Sequence, residues 1–382
     1  MKETSSSKID GAEIAWFAPL CDGDDDFLGH RNPKFKSTWD NTSSIVRTAD
    51  KLGFNNVLCP SSYQVGQDTL SFVAGMAPLT NQINLLAAIR CGELHPPMLA
   101  RTIATLDHML EGRLTINIIS SDLPGTQLSS KERYARSREV IEILKQAWTQ
   151  DHIEYSGKFY QFKLPARPVK PYQQNGGPLL YFGGYSPDGI SLCAEFCDVY
   201  LMWPETEENL NGLMATMKNK AAAFGRTVQF GLRVHVIVRE TEEEARNYAD
   251  SLLSKLDLKL GNELKNRAQD AASLGVARQS QMRAQADDKL YVEPNLWTGI
   301  GLARSGCGAA IVGNPDQVVA KIEKYIAMGI HAFIFSGYPH QKEAELVAKL
   351  VLPRLKKVSL PKVLGRVPKE TPNSPLGSGP RM

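Results

Sequence analysis

Eight short aliphatic and β-branched runs, each followed by a segment of helical periodicity, constrain this 382-residue chain more than any other feature. Glu13 to Leu20 reads as the first strand, and Ser43 to Leu52 as its helix, closed by Gly53. Strands follow at Asn56 to Cys59, Ile83 to Cys91, Leu114 to Ser120, Leu179 to Phe182, Val199 to Met202, Val228 to Arg239 and Ala332 to Phe335. The intervening helices read as Asp68 to Met76, Pro97 to Leu110, Lys131 to Trp148, Asp188 to Phe196, Leu210 to Phe224, Glu242 to Leu256 and Asp316 to Met328, with Glu343 to Leu355 last. Strands separated by helices imply a parallel sheet, and at this length a closed (β/α)8 TIM barrel is the expected α/β fold. An open doubly wound sheet is the competing architecture. Against it, Cys21-Asp22-Gly23-Asp24-Asp25-Asp26 follows strand one where that fold would carry Gly-x-Gly-x-x-Gly.

Residues 1–360 therefore read as one barrel domain with insertions. Ile153 to Phe162 has the pattern of a surface hairpin turning at Ser156-Gly157. Residues 258–308 are too long for a simple βα connection, and their glycines, 299 to 308, suit the hinges of a lid. From 361 to 382 five prolines and few apolar residues predict an extended tail, free or laid against a neighbouring subunit.

A net charge of +3, with 22% charged residues, provides no field for nucleic acid or an acidic membrane surface. No apolar run reaches membrane-spanning length, and the N-terminus lacks a signal-peptide core. Six scattered cysteines, at 21, 59, 91, 193, 197 and 307, fit reduced thiols in the cytoplasm and form no metal-site spacing.

Chemistry is concentrated in Phe230-Gly231-Leu232-Arg233-Val234-His235-Val236-Ile237-Val238-Arg239. Side chains alternate along a strand, so Arg233 and His235 share one face, about 6.5–7 Å apart. A permanent cation on a buried strand is costly unless an anion meets it. Either a structural ion pair or an anion-binding pocket satisfies that requirement. Barrel catalysis belongs where strands end, and polar residues gather there: Ser120-Ser121-Asp122, Gly183-Gly184-Tyr185-Ser186, Trp203 and Tyr338-Pro339-His340. The Gly183-to-Ser186 turn precedes a helix, where backbone N–H groups and a hydroxyl suit a phosphate. A plain helix cap at Ser186 is the simpler alternative.

Several stretches resemble the flavin-dependent alkanesulfonate monooxygenases of the bacterial luciferase-like superfamily. They are Ala49 to Phe54, Ala104 to Asp107 with Gly112-Arg113, Leu180 to Gly184, Gly231 to Thr241, Pro294 to Trp297 and Ser336 to His340. The resemblance runs from about Trp16 to Leu355. It implies a TIM barrel that takes reduced FMN (FMNH2) from a separate NAD(P)H-dependent FMN reductase and, with O2, cleaves an organosulfonate to sulfite and an aldehyde. It also implies a homo-oligomer. In family terms Trp203, Arg233, His235, Arg304 and Tyr338 resemble the active-site set, with His340 beside them. Gly183, Gly184, Tyr185 and Ser186 resemble the phosphate loop, with Tyr134 a further candidate and Ser120 and Ser121 placed to touch the ribityl chain.

A sulfonate stays anionic throughout the physiological range, which suits arginine: Arg233, and Arg304 arriving on the lid. His235 would titrate near neutrality and relay a proton, and Tyr338 would donate a hydrogen bond. The chain departs from the family pattern at Ser61 to Gln67 and at Arg90 to Pro96. Gln64, Gln67 and His95 there would face hydroxyls, so a polyhydroxylated sulfonate such as sulfoquinovose is expected. Other readings are oxidation of a sulfone, alkane or heterocycle, a deazaflavin-dependent dehydrogenase, or flavin binding without turnover.

Overall fold

Strands of a parallel sheet covered on both faces need continuous apolar residues, and those of this chain are buried along nearly their whole length. The computed structural model describes residues 9–21, 23–166, 170–257, 259, 274–304 and 306–372. In chain order its strands are β1 (Glu13–Phe17), β2 (Asn56–Cys59), β3 (Asn84–Arg90), β4 (Leu114–Ile119), β5 (His152–Ser156), β6 (Gln161–Pro165), β7 (Leu180–Phe182) and β8 (Val199–Met202). They continue with β9 (Gln229–Val238), β10 (Tyr291–Glu293), β11 (Leu296–Trp297), β12 (Ala310–Gly313) and β13 (Ile330–Ser336). β1, β2, β3, β4, β7, β8, β9 and β13 pair in parallel in that order, and β13 returns to β1. The ring is closed, as a TIM barrel requires. β5 and β6 form the separate antiparallel hairpin.

Helices lie between the strands, and most of their starts are capped by the side chain of the residue that precedes them. α1 (Trp39–Lys51), α2 (Thr69–Met76), α3 (Pro96–Met109), α4 (Ser130–Thr149), α5 (Pro187–Phe196), α6 (Glu207–Ala222) and α7 (Glu242–Leu253) come first. Ser129 with Glu132 and Thr241 with Glu244 form capping boxes that satisfy the first N–H groups of α4 and α7. Helices Leu274–Ala284, Pro315–Met328 and His340–Leu350 follow. Among the described residues no helix is long and apolar enough to cross a membrane.

β9 positions the chemistry because it outlasts its neighbour. β8 pairs with Gln229 to Leu232, and from His235 onward β12 takes that side of the strand instead. β11 and β10 continue this outer ribbon antiparallel. Part of the stretch expected as a lid, Tyr291–Glu293 and Leu296–Trp297, is therefore sheet. Of the expected 258–308 lid, residues 258, 260–273 and 305 lie outside the described residues.

The tail expected from residue 361 departs from extended form at its start. Leu360–Val363 is a helical turn, Arg366 pairs with Asp198 at 2.8 Å, and its carbonyl accepts from Gln174 N–H. The base beneath is sealed by Glu13, whose carboxylate accepts from Tyr181, Asn56, Asn84 and the Leu360 N–H. Residues 373–382 lie outside the described ones.

Candidate active site

Gly231 identifies the inward face of β9. A Cβ there would come within 3.1–3.3 Å of Leu201, Ala332 and Val199, which line the barrel interior. Arg233 and His235, two and four residues on, share that face at the carboxyl end of the barrel. The Arg233 guanidinium lies 4.2 Å over the Phe17 ring, and its Nε is buried without a hydrogen-bond partner. No carboxylate pairs with it among the described residues. A cation–π contact contributes about 1 kcal/mol, well short of the several kcal/mol that desolvating a cation costs. Among the described residues no structural ion pair accounts for Arg233, and its guanidinium faces the barrel interior with an unpartnered Nε.

His235 is 2% exposed, and its Nδ1 lies 2.9 Å from the Ser336 hydroxyl. Burial, then the charges of Arg233, His340 and Arg304, push its pKa well below the usual value, although a hydrogen bond to the Cys307 backbone acts the other way. This corrects the expectation of a histidine titrating near neutrality: in this state His235 is a neutral, fixed imidazole. Its ring stacks on Tyr338 at 5.2 Å, and Tyr338 stands 5.3 Å from His340. Burial, helped by Arg304 and Arg233, lowers His340 to about 3, with the Gly23 backbone opposing weakly. The imidazole packs between Trp16, Phe17 and Tyr338.

Arg304 reaches the same cluster, its guanidinium 5.3 Å over the Tyr338 ring and paired with Asp25. Its charge is thus met by an acid from the loop after β1, whereas that of Arg233 is not. Asp24, next in that loop, is buried and accepts the His340 backbone N–H at 2.9 Å. Burial raises its carboxyl to about 7 against the pull of that bond. The sequence reading used this Asp-rich run only as evidence against a dinucleotide fold. Its position immediately after the first strand of a barrel was the signal that it would reach the mouth.

Trp203 ends β8 and lies against both Gly275 and Gly306, where a Cβ would approach the indole to 2.7 and 3.2 Å. Its backbone N–H donates to the Tyr185 hydroxyl at 2.6 Å, which ties the Gly183-to-Ser186 turn to the cluster. Gly183 is exposed, Ser186 caps α5, and the Tyr134 hydroxyl lies where a Cβ on Gly189 would meet it at 2.9 Å. The Ser120 hydroxyl is buried without a partner, whereas that of Ser121 accepts from Arg90.

Of the three expected substrate contacts, Gln67 and His95 make contacts of their own outside the Arg233–Tyr338 cluster. The Gln67 amide donates to Ser37 and Thr42 and so fastens its loop to α1. Gln64 is exposed, and the exposed His95 ring leans on Tyr160 and Phe162 of the hairpin.

Residues 13–332 match the family described as Luciferase-like monooxygenase. The chain belongs to that family. It is similar to a sulfoquinovose monooxygenase of Agrobacterium fabrum, 60% identical over 99% of this chain and 98% of that one. A second, of Novosphingobium aromaticivorans, is 50% identical over 90% of this chain and 96% of that one. Among solved structures, the oxygenating constituent of 3,6-diketocamphane monooxygenase from Pseudomonas putida, in complex with FMN, superposes with a TM-score of 0.66 at 18% identity. That match covers 91% of this chain and all of the other. The protein is a monooxygenase built on a TIM barrel, and the family's cofactor is a flavin.

Proposed function

We propose that this monooxygenase takes reduced FMN from a separate NAD(P)H-dependent reductase and uses O2 to cleave the C–S bond of a sulfosugar, sulfoquinovose being the first candidate. The observation that carries the reading is Arg233, an inward guanidinium without an acid partner among the described residues, beside a neutral imidazole. A sulfonate oxygen pair matches the guanidinium fork. The substrate class rests on the two curated relatives that carry that name.

The residues present fit FMN. The exposed Gly183 and half-buried Gly184 backbone, the α5 start at Ser186 and the Tyr134 hydroxyl would hold the phosphate, and the unpartnered Ser120 hydroxyl would meet the ribityl chain. When bound, reduced FMN supplies the two electrons that activate O2. Arg233 fixes the sulfonate, and Tyr338 with the neutral His235 places hydrogen-bonding groups beside the reacting carbon. Trp203 and Arg304 cover the mouth against water. One O2, one sulfonate and one reduced flavin give an aldehyde, hydrogen sulfite, oxidised flavin and water. With a flavin reductase, NADH and a sulfonate panel, sulfite release from sulfoquinovose but not octanesulfonate is expected, with none under anaerobic conditions. Turnover without O2 would point to a dehydrogenase and overturn the reading.

A further inference from the structure

We propose that Tyr248 on α7 is a positioning residue that sets the Tyr338 ring at the barrel mouth, braced by the Arg239–Glu343 ion pair. The inference rests on Tyr338 being an active-site group. The Tyr248 hydroxyl donates to the Tyr338 carbonyl at 2.7 Å. Arg239, just past β9, lies 3.6 Å over the Tyr248 ring and forks onto Glu343 at 2.8 and 3.0 Å. Glu343 is fully buried on the helix that follows the turn, and burial pushes its carboxyl up despite the pull of Arg239. Gly337 closes the arrangement, since any Cβ there would fall 2.5 Å from the Cβ of Glu343. Three separate elements thus converge on the three-residue turn Gly337-Tyr338-Pro339.

The consequence is geometric. Tyr338 must satisfy His235, which it stacks against, and Arg304, which lies over its ring. Among the described residues its backbone is held by one side-chain hydrogen bond from outside the barrel, and that bond comes from Tyr248. Tyr248, Arg239 and Leu346 also line a surface groove of about 510 Å³, so the phenol does not plug the core and its hydroxyl can be removed without leaving a cavity. Placement errors near 1 Å at a reacting centre cost rate on the order of a hundredfold, whereas a merely structural bond would move only stability.

The test compares Tyr248→Phe with the parent enzyme, loaded with FMN and supplied with a flavin reductase, NADH and sulfoquinovose, following sulfite formed and O2 consumed. Expected are a fall in kcat of roughly tenfold or more, a lower ratio of sulfite to O2, and little change in FMN affinity or melting temperature. Arg239→Lys, which keeps the charge but loses the flat stack, is expected to give the same uncoupling in weaker form. Unchanged kcat and coupling in Tyr248→Phe would overturn the inference, as would losses that merely track the melting temperature. If the parent releases no sulfite from any sulfonate, the proposed activity fails instead. A crystal structure of Tyr248→Phe then decides this point alone, and an unmoved Tyr338 ring refutes it.

Discussion

Replacing Arg233 with methionine separates an anion receptor from a structural cation. In the unliganded protein the guanidinium has the Phe17 ring and no carboxylate among the described residues. Substitution therefore loses a cation–π contact of about 1 kcal/mol and removes a desolvation penalty of at least similar size. The melting temperature is expected to hold or rise. With substrate present the balance reverses, because truncating one partner of a desolvated, hydrogen-bonded charge pair costs about 2–5 kcal/mol. That corresponds to a fall in kcat/KM of roughly 30- to 5,000-fold. Arg233→Lys should lie between, since it keeps the charge but not the fork. The assay is sulfite release at saturating reduced FMN, paired with thermal shifts measured with and without sulfonate. The parent should be stabilised by sulfonate and Arg233→Met should not. A variant that melts several degrees lower yet keeps its kcat/KM would show that Arg233 serves the fold, and the reasoning would fail.

Three further outcomes follow from other parts of the structure. Asp24 is held at about 7 by burial. Its folded state therefore keeps a proton that the unfolded chain loses near pH 4, so this contribution is full at low pH and fades as pH rises towards 7. Relative to the parent, Asp24→Asn should gain stability between pH 4 and pH 8, up to about 4 kcal/mol, read by urea unfolding. An equal difference at both pH values would mean the carboxyl is not held protonated. Glu343→Ala leaves the Arg239 guanidinium without its buried acid, and should cost about 3–5 kcal/mol in the same unfolding assay. Gln67→Ala loses hydrogen bonds to Ser37 and Thr42, and should lower stability by about 1–2 kcal/mol while leaving KM for the sulfonate within twofold. A tenfold rise in KM would restore Gln67 to the substrate pocket.

The barrel strands were legible because each is covered on both faces and so is largely apolar, as in Leu85 to Ile89 of β3 and Val199–Met202. β10, β11 and β12 were not, because they lie outside the eightfold strand–helix alternation and their pairing depends on β9 projecting past β8. Arg233 and His235 could be read as a same-face pair from spacing alone. That His235 is neutral could not, since its shift comes first from burial, which only the closed barrel creates, and then from Arg233 and more distant groups. Asp24, Asp25 and Tyr248 were passed over for a similar reason, as the partners that give them meaning lie 90 to 316 positions away.

Sequence by itself settled the alternation of strand and helix, the shared face of Arg233 and His235 on β9 and the type of charge placed there. These depend on local periodicity and on chemistry carried by single residues. Only the tertiary structure decided which of two arginines is neutralised, since Asp25 meets Arg304 and not Arg233. It likewise decided that Gln67 braces a loop while Tyr338 faces the mouth. Compensation of charge and commitment of a hydrogen bond are properties of pairs, and a linear chain does not specify its pairs until it has closed into a barrel.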